Sequence, residues 1–194
     1  MLSNQISPFE YVSILVSIIL GLGITQILSA FSDLLYNFKK VKFYWPHSIW
    51  IIFILFLHIQ DWFITYQLKD KPVWHLPELV FILLYPVSLF CVAKMLMPTN
   101  ENEESFDMKR FYKSQYPLLF NIVSLSIIFS ILFNIYFLKK PFMQQIPLML
   151  FLVAMLFLSF KRITNEILHK SVAVTIMLAC ILSIILEEDI WVIN

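Results

Sequence analysis

Hydrophobic positions fall into six long stretches separated by short polar or proline-bearing connections, at residues 9–36, 46–66, 76–97, 117–138, 142–160 and 171–188. Crossing ~30 Å of hydrocarbon as a helix takes about 20 mostly apolar residues, so each stretch predicts a membrane span. The predicted fold is all-α, a polytopic membrane helical bundle of six transmembrane helices forming one domain over residues 1–194.

Proline marks the joins. Pro8, Pro46, Pro72, Pro77, Pro98, Pro117 and Pro141 sit at the edges of the runs, where a missing N–H costs least, and Pro147 lies within two turns of the start of the fifth. Pro86 falls inside the third run, where it releases the carbonyl of Ile82 and predicts either a hinge or a static kink filled by Ser88 or a neighbouring side chain.

Composition agrees with the pattern. Apolar residues make up 60% of the chain and charged residues 14%, with mean hydropathy +0.80, well outside the range of a soluble domain. A net charge of +1 offers no clustered basic face and argues against a nucleic-acid partner. Cys91 and Cys180 lie within apolar runs and imply no disulfide framework. The segment Met1 to Tyr11 has no Lys or Arg and precedes a run too long for a signal peptide, so no cleavage is expected.

Charge in the short connections predicts orientation. With the first connection cytoplasmic, the inside holds Lys39, Lys40, Lys42, Lys94, Lys109, Arg110, Lys113, Lys161, Arg162 and Lys170, and the outside only Lys69, Lys71, Lys139 and Lys140. Both termini then lie outside. Tyr36, Tyr44, Trp45 and Tyr116 form the inner aromatic belt, and Tyr11, Trp62, Tyr66, Trp74, Tyr136 and Trp191 the outer one. The acidic tail Glu187, Glu188, Asp189 fits an outer terminus.

The first run holds both glycines, Gly21 and Gly23, and repeats small or hydroxyl residues every fourth position as Ser13, Ser17, Gly21, Thr25 and Ser29. Such a row is a groove that admits a second helix closely, which predicts a buried spine and a self-associating protein. Gln26, Ser32 and Asp33 are its polar contacts, and depth matching predicts that Asp33 pairs with Lys94 of the third run. Small rows recur as Ser126, Ser130 and Asn134 and as Ser171, Thr175, Ala179 and Ser183, while Asn121 and Asn134 are placed to bond across the bundle.

Ionisable residues inside a membrane are costly and mark functional positions. His58, Asp61 and Thr65 share one face of the second run in the outer half of the bilayer, with Gln60 and Trp62 beside them. Together with Gln26, His58 and Asp61 are the candidate ion, proton or solute path. A His and a carboxylate at i, i+3 relay a proton, bind a cation or supply two metal ligands, and His75 and Glu78 are the residues placed to complete a metal set. No resident metal or cofactor is expected.

The polar segment Pro98 to Gln115 reads as a cytoplasmic loop. Asn100 to Glu104 is irregular, and Ser105 caps a short helix whose Met108, Phe111, Tyr112 and Gln115 form a face suited to the membrane interface beside Lys109, Arg110 and Lys113. The segment is either a partner-docking loop or a plain connector. Tyr36 with Lys39 and Lys40 is echoed by Tyr136 with Lys139 and Lys140, the spacing of an inverted three-plus-three repeat or a coincidence of composition.

Zinc-helix, nucleophile-turn and Gly-rich phosphate-loop motifs are all missing, so no enzyme is expected. Phe31, Ser32 and Asp33 spell the F-S-D signature of the bacterial relatives of lysosomal six-span potassium channels, but here the triplet closes the first helix and lacks the preceding Arg. A broader likeness runs through Phe9, Glu10, Tyr11, Ser13, Ser17, Leu20, Gly21, Leu22, Ile24, Thr25 and Leu28 and through Tyr44, Trp45, Pro46, Trp50, Gln60 and Trp62. On these residues the first half of the chain resembles a group of small multi-span bacterial inner-membrane proteins with no established activity. Asp61 departs from that group's small uncharged residue. The resemblance implies a bacterial inner membrane and nothing catalytic. The lipid bilayer, and another membrane protein or a second copy, are the partners expected from the apolar runs and the small-residue rows. The function expected is that of a scaffold in a membrane assembly, or else a channel or transporter using the second helix.

Overall fold

The computed structural model describes residues 6–96, 106–186 and 191–192. The chain is 83% helical, essentially all-α, and the described residues hold six helical segments long and apolar enough to span a membrane. They are α1 (Pro8–Tyr36), α2 (Trp45–Tyr66), α3 (Leu76–Met95), α4 (Met108–Tyr136), α5 (Ile146–Phe160) together with the 3-10 turn before it, and α6 (Glu166–Leu186). The chain is a multi-pass membrane protein.

Local chemistry sets most boundaries. Ser7 and Glu10 form a reciprocal capping box around Pro8, with the Ser7 hydroxyl accepting from the Glu10 N–H at 3.1 Å. At α3 the Glu78 carboxylate accepts from the His75 N–H at 3.1 Å and from Lys71 Nζ at 2.9 Å. Asp107 caps α4 by accepting from the Arg110 N–H at 3.0 Å.

The fourth span differs from expectation. Helix α4 begins at Met108, so Pro117 lies inside it, and the second half of the expected 98–115 loop is structured. Strand β2 (Phe106–Asp107) pairs in parallel with β1 (Val41–Lys42), tying two connections together. Met108 and Tyr112 are buried against protein and form no free amphipathic face, because the first part of α4 packs its rings on His47 of α2 and His169 of α6. The Asn100–Glu104 segment, Ser105 and the tail Glu187, Glu188, Asp189 lie outside the described residues. The fifth span opens with a 3-10 turn (Phe142–Gln145), and the sixth begins at Glu166, a turn earlier than expected.

The connections assort to two ends. One end gathers the α1–α2, α3–α4 and α5–α6 connections, joined by the β1–β2 bridge and by Lys109 to Glu166 at 2.6 Å. At the other end the α2–α3 connection meets the end of α4 around a cleft of about 280 Å³ lined by Lys71, Glu78 and Lys139.

Helix α2 packs on α1, α3 and α6, while α3 packs on α1 and α4 and α4 on α5. The inverted-repeat expectation fails on this point, since α1 packs along α3 but α4 packs along α5. Two apolar cores result. One holds Ile27, Trp50, Ile54, Val92 and Phe120; the other, toward the α2–α3 end, holds Val12, Val16, Leu20, Ile82, Leu89 and Phe133.

The buried face of α1 is Val12, Val16, Leu20, Gly23 and Ile27, not the small row. A Cβ built on Gly21 meets nothing within 4 Å, whereas one on Gly23 falls onto the His58 imidazole, 2.7 Å from Cδ2. Bulky aliphatics fill the wide α1–α3 contact, and close approach is reserved for the one level where α2 brings in a ring. The later rows divide. Ser126 is buried, but Ser171, Thr175 and Ala179 are exposed, because α6 packs through His169, Ala173 and Ile176. The asparagines do bond within the bundle, Asn121 accepting from Ser159 Oγ at 2.7 Å and Asn134 donating to Gln145 at 3.0 Å.

Candidate functional site

His47, Ile51, Ile54, His58, Asp61 and Thr65 are buried along α2 as a single seam at alternating spacings of four and three, with Pro46 and Trp50 buried beside it. Its first half is apolar apart from His47, and its last three members are polar. His58 is fully buried and Asp61 is 7% exposed. At 1.5 Å per residue, His58 lies roughly 20 Å along α2 from Trp45, well within the bilayer.

The polar stretch sits where the two apolar cores abut. Ile54 and Ile27 belong to the first core, and Leu20, Leu68 and Leu89 to the second. Between them α1 contributes Gly23, α2 contributes His58 and Asp61, and α3 contributes Tyr85. The Tyr85 hydroxyl is enclosed in the bundle within electrostatic reach of Asp61.

Hydrogen bonding assigns the imidazole. His58 Nδ1 lies 2.7 Å from the Ile54 carbonyl, which only accepts, so Nδ1 carries the hydrogen and Nε2 presents its lone pair. That Nε2 is buried with no partner among the described residues, and so is Asp61 Oδ2. Two buried acceptors without donors is an expensive arrangement in a dry interior. The Gly23 notch explains how the ring is accommodated, and no other residue type fits there without moving it.

Above Asp61 the seam opens. Thr65 is buried yet lines a cleft of about 510 Å³ between α1 and α2, whose walls include Ser13, Ser17, Trp62 and Tyr66. Trp62 Nε1 donates to Ser17 Oγ at 3.2 Å across it. Two members of the small row thus line a cleft at the α2–α3 end.

Other expected sites are not assembled. Asp33 and Lys94 are both exposed, and the ion pairs among the described residues join Lys71 to Glu78 and Glu166 to Lys109 and Lys170. The two form no ion pair, so matched depth does not become contact. Ser32 is exposed and Gln26 half-buried. His75 and Glu78 serve the α3 cap and the Lys71 pair, so they do not join His58 and Asp61, and the described residues contain no group of three or more His, Cys, Asp or Glu placed to hold a metal ion. Pro86 is buried within a continuous α3, and Ser88 donates to Tyr85 O at 2.7 Å instead of to Ile82.

A second polar cluster, at the opposite end, was not anticipated. Tyr112 OH lies 2.9 Å from His169 Nδ1, and His169 Nε2 donates to Ile163 O at 2.7 Å. His47 Nε2 donates to Leu96 O at 2.7 Å, and the rings of Tyr44, His47, Tyr112, Tyr116 and His169 stack edge-on or tilted. Burial, reinforced by the Glu166 carboxylate, holds the Tyr44 phenol above its usual range. His47 and His169 lie far apart in sequence with no shared spacing; only the helix packing unites them. Compared with protein-family models, curated proteins and solved structures, the chain matches none.

Proposed function

We propose that this multi-pass membrane protein conducts or transports an ion, a proton or a small solute, with His58 and Asp61 of α2 as its intramembrane site. The observation that carries this reading is the adjacent pair of buried, donorless acceptors, His58 Nε2 and the carboxylate oxygen Asp61 Oδ2, in the polar half of the α2 seam; His47 Nδ1, at the other end of the seam, is likewise without a partner among the described residues. A bundle that served only to pack would fill those positions with Leu or Ile, as the same seam does at Ile51 and Ile54. Polar groups retained at such cost within a membrane are ordinarily there for the species they handle.

The basic residues of the connections support a cytoplasmic α1–α2 end, which sets the cleft and both termini on the outer side of a bacterial inner membrane. Reconstituted protein should show ion or proton flux that Asp61→Asn and His58→Ala abolish and Gln60→Ala leaves in place. Flux indifferent to both substitutions would remove the site.

A scaffold that associates with itself or a membrane partner is the second reading, favoured by the open space over Gly21. A neighbouring helix is able to approach there. Gly21→Leu should then reduce crosslinked dimer without lowering the stability of the single chain, and unchanged crosslinking would exclude that face.

A further inference from the structure

We propose that the species bound at the α2 site is a proton, taken up by Asp61 from the α2–α3 end of the molecule through the cleft between α1 and α2. The proposal rests on the reading of His58 and Asp61 as the functional site and narrows it to one substrate.

Space and ligand number exclude the larger ions. His58 Nε2 faces α1 at Gly23 so closely that even a methyl group there would overlap the ring, which leaves no volume for a coordinated cation between them. A proton needs none. Hard divalent cations take six or more oxygen ligands, whereas the described residues contain no group of three or more His, Cys, Asp or Glu placed to hold a metal ion.

The charges around the couple are few. Helix α1 has no ionisable side chain between Tyr11 and Asp33, and α6 offers only Cys180 after Lys170. On α3 the ionisable residues are Glu78, Tyr85, Cys91 and Lys94; Glu78 is held by Lys71 at the outer cap, and Lys94 is exposed near the opposite end. Among the described residues no ion pair involves Asp61, and a proton neutralises it without a further group.

Access is one-sided. Thr65, one turn from Asp61 on the same seam, lines the 510 Å³ cleft with Ser13, Ser17 and Trp62. Toward the other end the seam continues with Ile54 and Ile51, with Trp50 beside them, all buried within an apolar core. Uptake breaks one O–H bond of a hydronium ion in the cleft and forms one at Asp61 Oδ2, giving water and a neutral carboxylic acid; release runs the same exchange in reverse, returning hydronium and the carboxylate. His58, donating from Nδ1, keeps Nε2 open as the second acceptor on the same seam.

Infrared difference spectroscopy on the full chain, inserted unidirectionally in vesicles, tests this directly. A carboxylic-acid C=O band should respond to pH on the α2–α3 side, be insensitive to pH on the other side, vanish in Asp61→Asn and reappear shifted in Asp61→Glu. Thr65→Val should slow its hydrogen–deuterium exchange. Absence of the band in the native chain, its survival in Asp61→Asn, or a response only to the opposite side would overturn the proposal. Flux of an alkali cation without such a band would leave the transport reading standing and sink the proton. The band without any flux would do the reverse.

Discussion

Gly23 and Gly21 are two residues apart and chemically identical, yet only one is constrained. Adding a methyl group at Gly23 forces it into the His58 imidazole, while the same change at Gly21 enters open space. The Gly23→Ala variant should therefore lose about 1–3 kcal/mol, the usual cost of overpacking, whereas Gly21→Ala should be neutral or slightly stabilising through its helix propensity. Thermal unfolding in detergent compares the two; equal stability would mean that the ring is free to move aside. Tyr112 offers a second comparison. Its hydroxyl bonds His169 Nδ1 in a buried setting, and Tyr112→Phe leaves that nitrogen without a donor, at a cost of about 1–3 kcal/mol. A change in unfolding temperature no larger than that of Tyr11→Phe, at an exposed site, would show that the bond contributes nothing.

At the scale of the helix, α4 shows why composition alone misplaces a boundary. The 98–115 segment is polar enough to read as a connection holding only a short, separate helix, and Pro117 looks like the edge of the next span. From Met108 onward it is nevertheless the first part of a 29-residue helix, because Asp107 caps it and Met108, Tyr112 and Tyr116 bury against α2 and α6. Pro117 is accommodated inside the helix at the loss of the hydrogen bond to the Lys113 carbonyl. Cysteines placed at Met108 and Tyr112 should resist an aqueous maleimide that labels one at Arg110 readily. Equal labelling of all three would mean that the extension is not packed. The α2 seam carries the corresponding lesson for function: the sharing of one face by His58, Asp61 and Thr65 follows from helical spacing, but the donorless state of two of them depends on what α1 and α3 bring opposite.

For the whole molecule, the alternation of connections between two ends rests on contacts: the β1–β2 bridge and the Lys109–Glu166 pair at one end and the Lys71–Glu78 cleft at the other. Which end faces the cytoplasm is a prediction from basic residues. Cysteine at Lys40 should be protected from a membrane-impermeant reagent in intact cells and cysteine at Lys69 labelled; the opposite result would invert the topology. Membrane class, six spans, the α2 polar face and the preference of charge for one end are properties of single segments, so hydropathy, helical period and counting determine them from the sequence by itself. Pairing of segments is different. Asp33 and Lys94 match in depth and still do not meet, the small row of α1 lies beside the packed face instead of on it, and Tyr112 finds His169 across 57 positions. Those outcomes depend on the rotation of each helix about its axis, and a helix that is apolar all round has no stripe to set that rotation. Only the shapes of side chains meeting in three dimensions decide it, as where an imidazole of α2 enters the space left by a glycine of α1.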